Sequence, residues 1–88
     1  MNEQELVKFE NKLIKLNFYR HQRHYNGMEW RMKLGCQTWI VAIFEGKDGY
    51  IGFSSLHDCF TTKTFKEVTD ILLFRIKMIL IGFDNSTI

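Results

Sequence analysis

From Met28 to Leu34 every second residue is apolar: Met28, Trp30, Met32 and Leu34 alternate with Glu29, Arg31 and Lys33. Side chains of an extended chain point alternately to opposite faces, so this is a strand with one buried and one wet face. Asn26-Gly27 precedes it and Gly35-Cys36 follows it. Asn-Gly suits a type I′ turn, whose central residues both need positive φ, and glycine at the first central position suits type II′. Both turns join antiparallel strands. A first strand is therefore expected over Phe18 to Tyr25, and a third over Gln37 to Glu45. The third contains Trp39-Ile40-Val41-Ala42-Ile43-Phe44, apolar on both faces as a central strand is. Gly46-Lys47-Asp48-Gly49 makes another turn, and Tyr50 to about Leu56 a fourth strand.

Helical spacing brackets this meander. Leu6, Phe9, Leu13 and Leu16 recur every three or four residues within Glu3 to Leu16, with Asn2 as the N-cap and acidic residues in the first turn. Thr64-Phe65-Lys66-Glu67 is a capping box that starts a second helix, expected to reach about Ile81 and stop at Gly82. The alternative is a shorter helix followed by an edge strand over Ile76 to Phe83. The chain is expected to be one α+β domain over residues 1–88, ordered αββββα, with a four-stranded antiparallel meander and both helices on one face of the sheet.

Counting outward from the turns assigns the faces. One face carries Met28, Trp30, Met32, Leu34, Trp39, Val41, Ile43 and Leu56, flanked by Tyr19 and Tyr25, and is expected to meet the helices. Gly52 and Ser54 are small residues on it, where a helix can approach closely. The opposite face divides into a basic part (Arg20, Arg31 and Lys33, with Gln22, His24 and Glu29) and an apolar part (Ile40, Ala42, Phe44, Ile51 and Phe53). Arg20 falls opposite Lys33, an unfavourable pairing unless it is splayed into water or neutralised. Burying four apolar side chains of this kind is worth on the order of 6–12 kcal/mol before the costs of association. A one-residue slip in register exchanges the faces.

Several function classes lack their residues. There is no phosphate-binding loop, dinucleotide-binding glycine pattern or zinc-protease helix. Thr61, Thr62 and Thr64 with Lys63 and Lys66 could hold an anion at a helix N-terminus, although ordinary capping explains them as well. His21 and His24 are three residues apart, which on a strand puts them on opposite faces, where they cannot chelate one ion together. Cys36 falls opposite Cys59, with His57 nearby, if the third hairpin continues in register, but a fourth zinc ligand is missing. No cofactor and no metal is expected, and no enzyme activity.

The net charge of +2 does not by itself imply a polyanionic partner. Its distribution is uneven: between Lys12 and Lys33, Lys12, Lys15, Arg20, Arg23, Arg31 and Lys33 stand against Glu29 alone, a run that a solvated face also accounts for. The acidic N-terminus lacks the pattern of a secretory signal, so Cys36 and Cys59 are expected to be reduced thiols in the cytoplasm. The longest apolar stretch, Ile71 to Phe83, is too short to span a bilayer, and no membrane partner is expected.

The order helix, antiparallel strands, helix resembles double-stranded-RNA-binding domains in topology. The lysine-rich start of the second helix in those domains is represented here only by Lys63 and Lys66, and no residue role is carried over. The leading expectation is a non-catalytic module that binds a protein or a second copy through Arg20, Arg31, Lys33, Ile40, Phe44, Ile51 and Phe53. The chain lacks proline, has Ala42 as its one alanine and is rich in Lys, Ile, Phe and Asn. By analogy with other small, motif-free chains of such composition, it could be a phage or mobile-element inhibitor of host machinery such as defence nucleases. The alternative is a small RNA- or DNA-binding domain using Arg20, Arg23, Arg31 and Lys33 on phosphates, with Tyr19, Tyr25 or Phe53 for stacking.

Overall fold

The computed structural model describes residues 2–55 and 57–86. Helix α1 (Glu3–Lys15) is followed by strands β1 (Tyr19–His24), β2 (Gly27–Leu34), β3 (Gln37–Glu45), β4 (Tyr50–Ser54) and β5 (His57–Thr62), then helix α2 (Phe65–Ser86). The strands form one antiparallel sheet in sequence order. The architecture is the expected α+β, with five strands where four were expected. β5 is a polar edge strand without apolar alternation. It pairs with β4 alone, with Phe60 opposite Gly52.

The helix ends follow local chemistry. The Asn2 side chain accepts from the amides of Gln4 and Glu5, at 2.9 and 3.3 Å. At the other end of α1, Asn17 takes φ 72°. The amide of Asn17 donates to the Ile14 carbonyl, and that of Phe18 to the Leu13 carbonyl, both at 3.0 Å. This is a Schellman motif with asparagine at the left-handed position, and buried Phe18 and Leu13 close it. Thr64 caps α2, accepting from the Glu67 amide at 3.1 Å while its hydroxyl donates to the Glu67 carboxylate at 2.7 Å. Helix α2 passes through Gly82 to Ser86. One glycine costs a helix about 1 kcal/mol and does not by itself end it.

Both helices cover the same face of the sheet. The core joins Leu6, Phe9 and Leu13 of α1 and Phe65, Val68, Leu72, Leu73 and Ile76 of α2 to Met28, Trp30, Met32, Trp39, Val41 and Ile43. The register between β2 and β3 is the one counted from Gly35-Cys36, with Trp30 opposite Val41 and Met32 opposite Trp39. Gly35 takes φ 64° at the turn's first central position. Gly52 admits α2: a Cβ there would lie 2.6 Å from Val68 Cγ2 and 2.5 Å from the Phe60 ring. Leu56, assigned to this face from the sequence, lies outside the described residues.

The first hairpin departs from expectation. Its two turn residues are Tyr25 and Asn26, with His24 paired to Gly27. Gly27 belongs to β2, where a Cβ would lie 2.5 Å from Phe44 Cδ1, so the glycine serves close packing. Asn26 is tied to β3 instead: its carbonyl accepts from the Glu45 amide at 2.7 Å, and its side chain donates to the Glu45 carbonyl at 3.1 Å. A β-bulge between Arg20 and Gln22 then inserts His21 and inverts the strand N-terminal to it. Tyr19 moves opposite Arg31 and Arg20 opposite Trp30. Tyr19 and Tyr25 are therefore exposed and do not flank the core.

Candidate functional site

The sheet face turned away from the helices is built from alternate residues of β2, β3 and β4. Glu29 pairs with Ala42, Arg31 with Ile40 and Lys33 with Thr38; Ala42 pairs onward with Phe53, and Phe44 with Ile51. Residues paired directly across antiparallel strands share a face, so Arg31, Lys33, Ile40, Phe44, Ile51 and Phe53 come together there. Ala42 is 2 % exposed at its centre. Its short side chain forms the floor, and Ile40, Phe44 and Phe53 stand half-buried around it with the more exposed Ile51.

The structure does not bring Arg20 to this face. The bulge turns Arg20 toward α1, where Nε and Nη2 bond both oxygens of Glu10 at 2.8 and 2.7 Å. Glu10 also accepts from Trp30 Nε1 at 2.8 Å. The Arg20 hydrogen bonds hold the Glu10 carboxyl below the usual carboxylate range; partial burial opposes the shift and the Trp30 bond adds to it. Arg23, beyond the bulge and paired with Met28, is on the helix side as well and donates to Glu3 at 2.7 Å. The expected clash of Arg20 with Lys33 does not arise.

Beside the apolar part lies an ion cluster centred on Glu29. Arg31 Nε donates to Glu29 Oε2 at 2.9 Å. His21 Nε2 stands 3.8 Å from Oε2 and His24 Nε2 3.7 Å from Oε1, close enough to pair if protonated but too far for a good hydrogen bond. The bulge is what brings both histidines to one carboxylate, contrary to the regular-strand expectation. The His24 ring leans on Phe44, with centroids 5.3 Å apart, and links the ion cluster to the apolar part. His24 Nε2 is buried without a hydrogen-bond partner among the described residues. Such an atom costs about 1–3 kcal/mol until something meets it.

The other candidate groups do not assemble. Cys36 occupies the exposed turn between β2 and β3, while Cys59 is on β5, which pairs with β4, so the two thiols are not opposed. The side chain of His57 lies outside what is described. Among the described residues no group of three His, Cys, Asp or Glu is arranged to hold a metal ion. The Thr64 hydroxyl is used in capping, Thr62 Oγ1 donates to the Thr64 carbonyl at 2.9 Å, and Lys66 bonds Asp70 at 2.8 Å. Among the described residues no helix is long and apolar enough to cross a membrane.

Sequence reasoning missed the inversion of β1 because Tyr-Arg-His-Gln-Arg-His has no apolar period to set its register. The available signal was the pair of carboxylates Glu3 and Glu10, seven residues apart on one side of α1 and suited to two strand arginines. Compared with protein-family models, curated proteins and solved structures, the chain has no match.

Proposed function

We propose that this protein is a non-catalytic binding module that docks a protein partner on the open sheet face. Ile40, Phe44, Ile51 and Phe53 supply the apolar anchors, and Arg31 and Lys33 the polar border. The observation that carries this reading is an uncovered sheet face with its apolar side chains gathered around Ala42, next to an organised ion cluster. Apolar and aromatic anchors beside an arginine are the composition of an interface centre. The His24 ring, leaning on Phe44, joins the apolar anchors to the ion cluster beside them.

Nucleic-acid binding has less support. Arg20 and Arg23 are engaged by α1 carboxylates on the helix side, and Arg31 is engaged by Glu29. Of the four basic residues that reading needs, Lys33 alone stands on the open face without a carboxylate beside it among the described ion pairs.

Phe44→Asp tests the proposal. At this half-buried strand position it should lower the melting temperature somewhat but leave the circular dichroism spectrum native. In a desolvated interface the unpaired carboxylate costs about 3–5 kcal/mol. A partner identified by mass spectrometry after capture should bind the purified wild-type chain directly, and the variant should lose more than 100-fold in affinity. Equal affinity of the two chains for that partner would refute the assignment of this face. A gel shift with mixed RNA and DNA at low salt, weakened by Lys33→Ala, would move the assignment to nucleic acid.

A further inference from the structure

Helix α2 carries a second apolar stripe that the fold leaves largely open, with Ile71 half-buried at its start. Ile71, Phe74, Met78 and Ile81 follow one another at intervals of three, four and three residues. Phe74 is 65 % exposed, and Met78 and Ile81 are each 54 % exposed. The residues by which α2 grips the sheet are Phe65, Val68, Leu72, Leu73 and Ile76. At about 100° per residue the two sets lie on roughly opposite sides of the helix. Propensity and packing within one chain account for the inner set only.

We infer that the outer stripe is the surface by which two copies of this chain associate, α2 against α2, side by side and parallel. Three-four-three spacing is the alternation of a two-helix seam, in which each apolar residue inserts among four of the facing helix. A seam of this kind is complementary to itself, as a two-fold contact between identical chains requires. The flanking charges choose the direction. In a parallel pair the residue just before the first seam position faces the residue five further along the other helix. That places Asp70 of each copy beside Arg75 of the other, two attractive contacts by symmetry. In an antiparallel pair with the same stripes in register, Arg75 would meet Arg75 and Lys77 would meet Lys77. Asp70 engages Lys66 through Oδ2 at 2.8 Å, so its second oxygen can accept the new bond. Arg75 lies on the flank of the stripe toward β5, over the Phe60 ring at 4.4 Å.

Association on the helix side leaves the open sheet face of each copy turned outward. The pair would then present two docking faces, although the inference does not depend on what docks there.

Sedimentation velocity of the wild-type chain between about 1 µM and 1 mM covers the affinities expected of a small contact. The mass should rise from 10.5 kDa toward twice that value. Phe74→Glu and Met78→Glu should each remain monomeric across the range with a native circular dichroism spectrum, because both side chains are exposed in the single chain. Phe44→Asp should self-associate like the wild type, which separates this contact from the sheet face. In a Cys36→Ser, Cys59→Ser background, Met78→Cys should form a disulfide between copies on mild oxidation, as positions facing each other across a parallel seam do. A wild-type chain monomeric throughout the range would overturn the inference. So would a dimer that survives both glutamates, or one that Phe44→Asp abolishes. A dimer in which Met78→Cys fails to cross-link would overturn the parallel arrangement.

Discussion

Replacing Glu10 with alanine should cost this small domain a large part of its stability. The Glu10 carboxylate accepts two bonds from Arg20 and one from Trp30 Nε1, between 2.7 and 2.8 Å. It ties α1 to both of the first two strands. The Arg20 side chain is 52 % exposed and that of Glu10 13 %. Solvent screening reduces the ion pair to about 0.5–1 kcal/mol despite its two-pronged geometry. The indole bond is charge-assisted and part-buried, worth about 1.5–3 kcal/mol. Together the loss is about 2–4 kcal/mol, or a fall in Tm on the order of 10–20 °C for a chain of this size. Glu10→Gln keeps an acceptor for the indole and should lose roughly half as much. A double-mutant cycle with Arg20→Ala isolates the ion pair. The pH dependence has a definite sign. A carboxyl whose folded pKa is lowered stabilises the fold above its unfolded value of about 4.3, and that contribution disappears as pH falls through the folded value. The wild type should therefore lose stability below about pH 5, and Glu10→Gln should show a shallower acid limb. Melting of Glu10→Ala within 2 °C of wild type at pH 7 would refute the reasoning.

The other expectations concern packing and backbone. Trp30→Ala removes a fully buried ring packed edge-on against Phe9 and should cost about 3–5 kcal/mol; a native-like denaturation midpoint would contradict its place in the core. Gly52→Ala should destabilise by about 1–3 kcal/mol because the new Cβ collides with Val68 and Phe60; unchanged melting would mean that α2 does not approach β4 so closely. Asn17→Ala should cost about 1 kcal/mol through its positive φ and Asn17→Gly should not, as urea titration of both variants can show.

Where an apolar period marks one face, the sequence alone determined the structure. Met28, Trp30 and Met32 could only face the core, and Gly35-Cys36 placed Trp39, Val41 and Ile43 beside them. Asn2 and Thr64 announced both helix starts through bonds made within three residues. The small side of Gly52 was legible as the place where a helix comes close. On the open face, Arg31, Lys33, Ile40, Phe44, Ile51 and Phe53 gathered as counting from the turns required. The tertiary structure decided the rest. β1 is polar on both sides, so no burial of apolar surface selects its register, and charge does so instead. Arg20 and Arg23 are drawn to Glu10 and Glu3, while His21 and His24 stand around Glu29. The bulge at His21 lets one strand satisfy both sets of carboxylates. β5, with only Phe60 to bury, is placed by its ladder to β4 and the space above Gly52. Periodicity reports contacts with a continuous apolar layer, which any nearby core supplies. Ion pairs and edge pairing depend on particular residues 10 or 20 positions away, and only the folded chain brings those within reach.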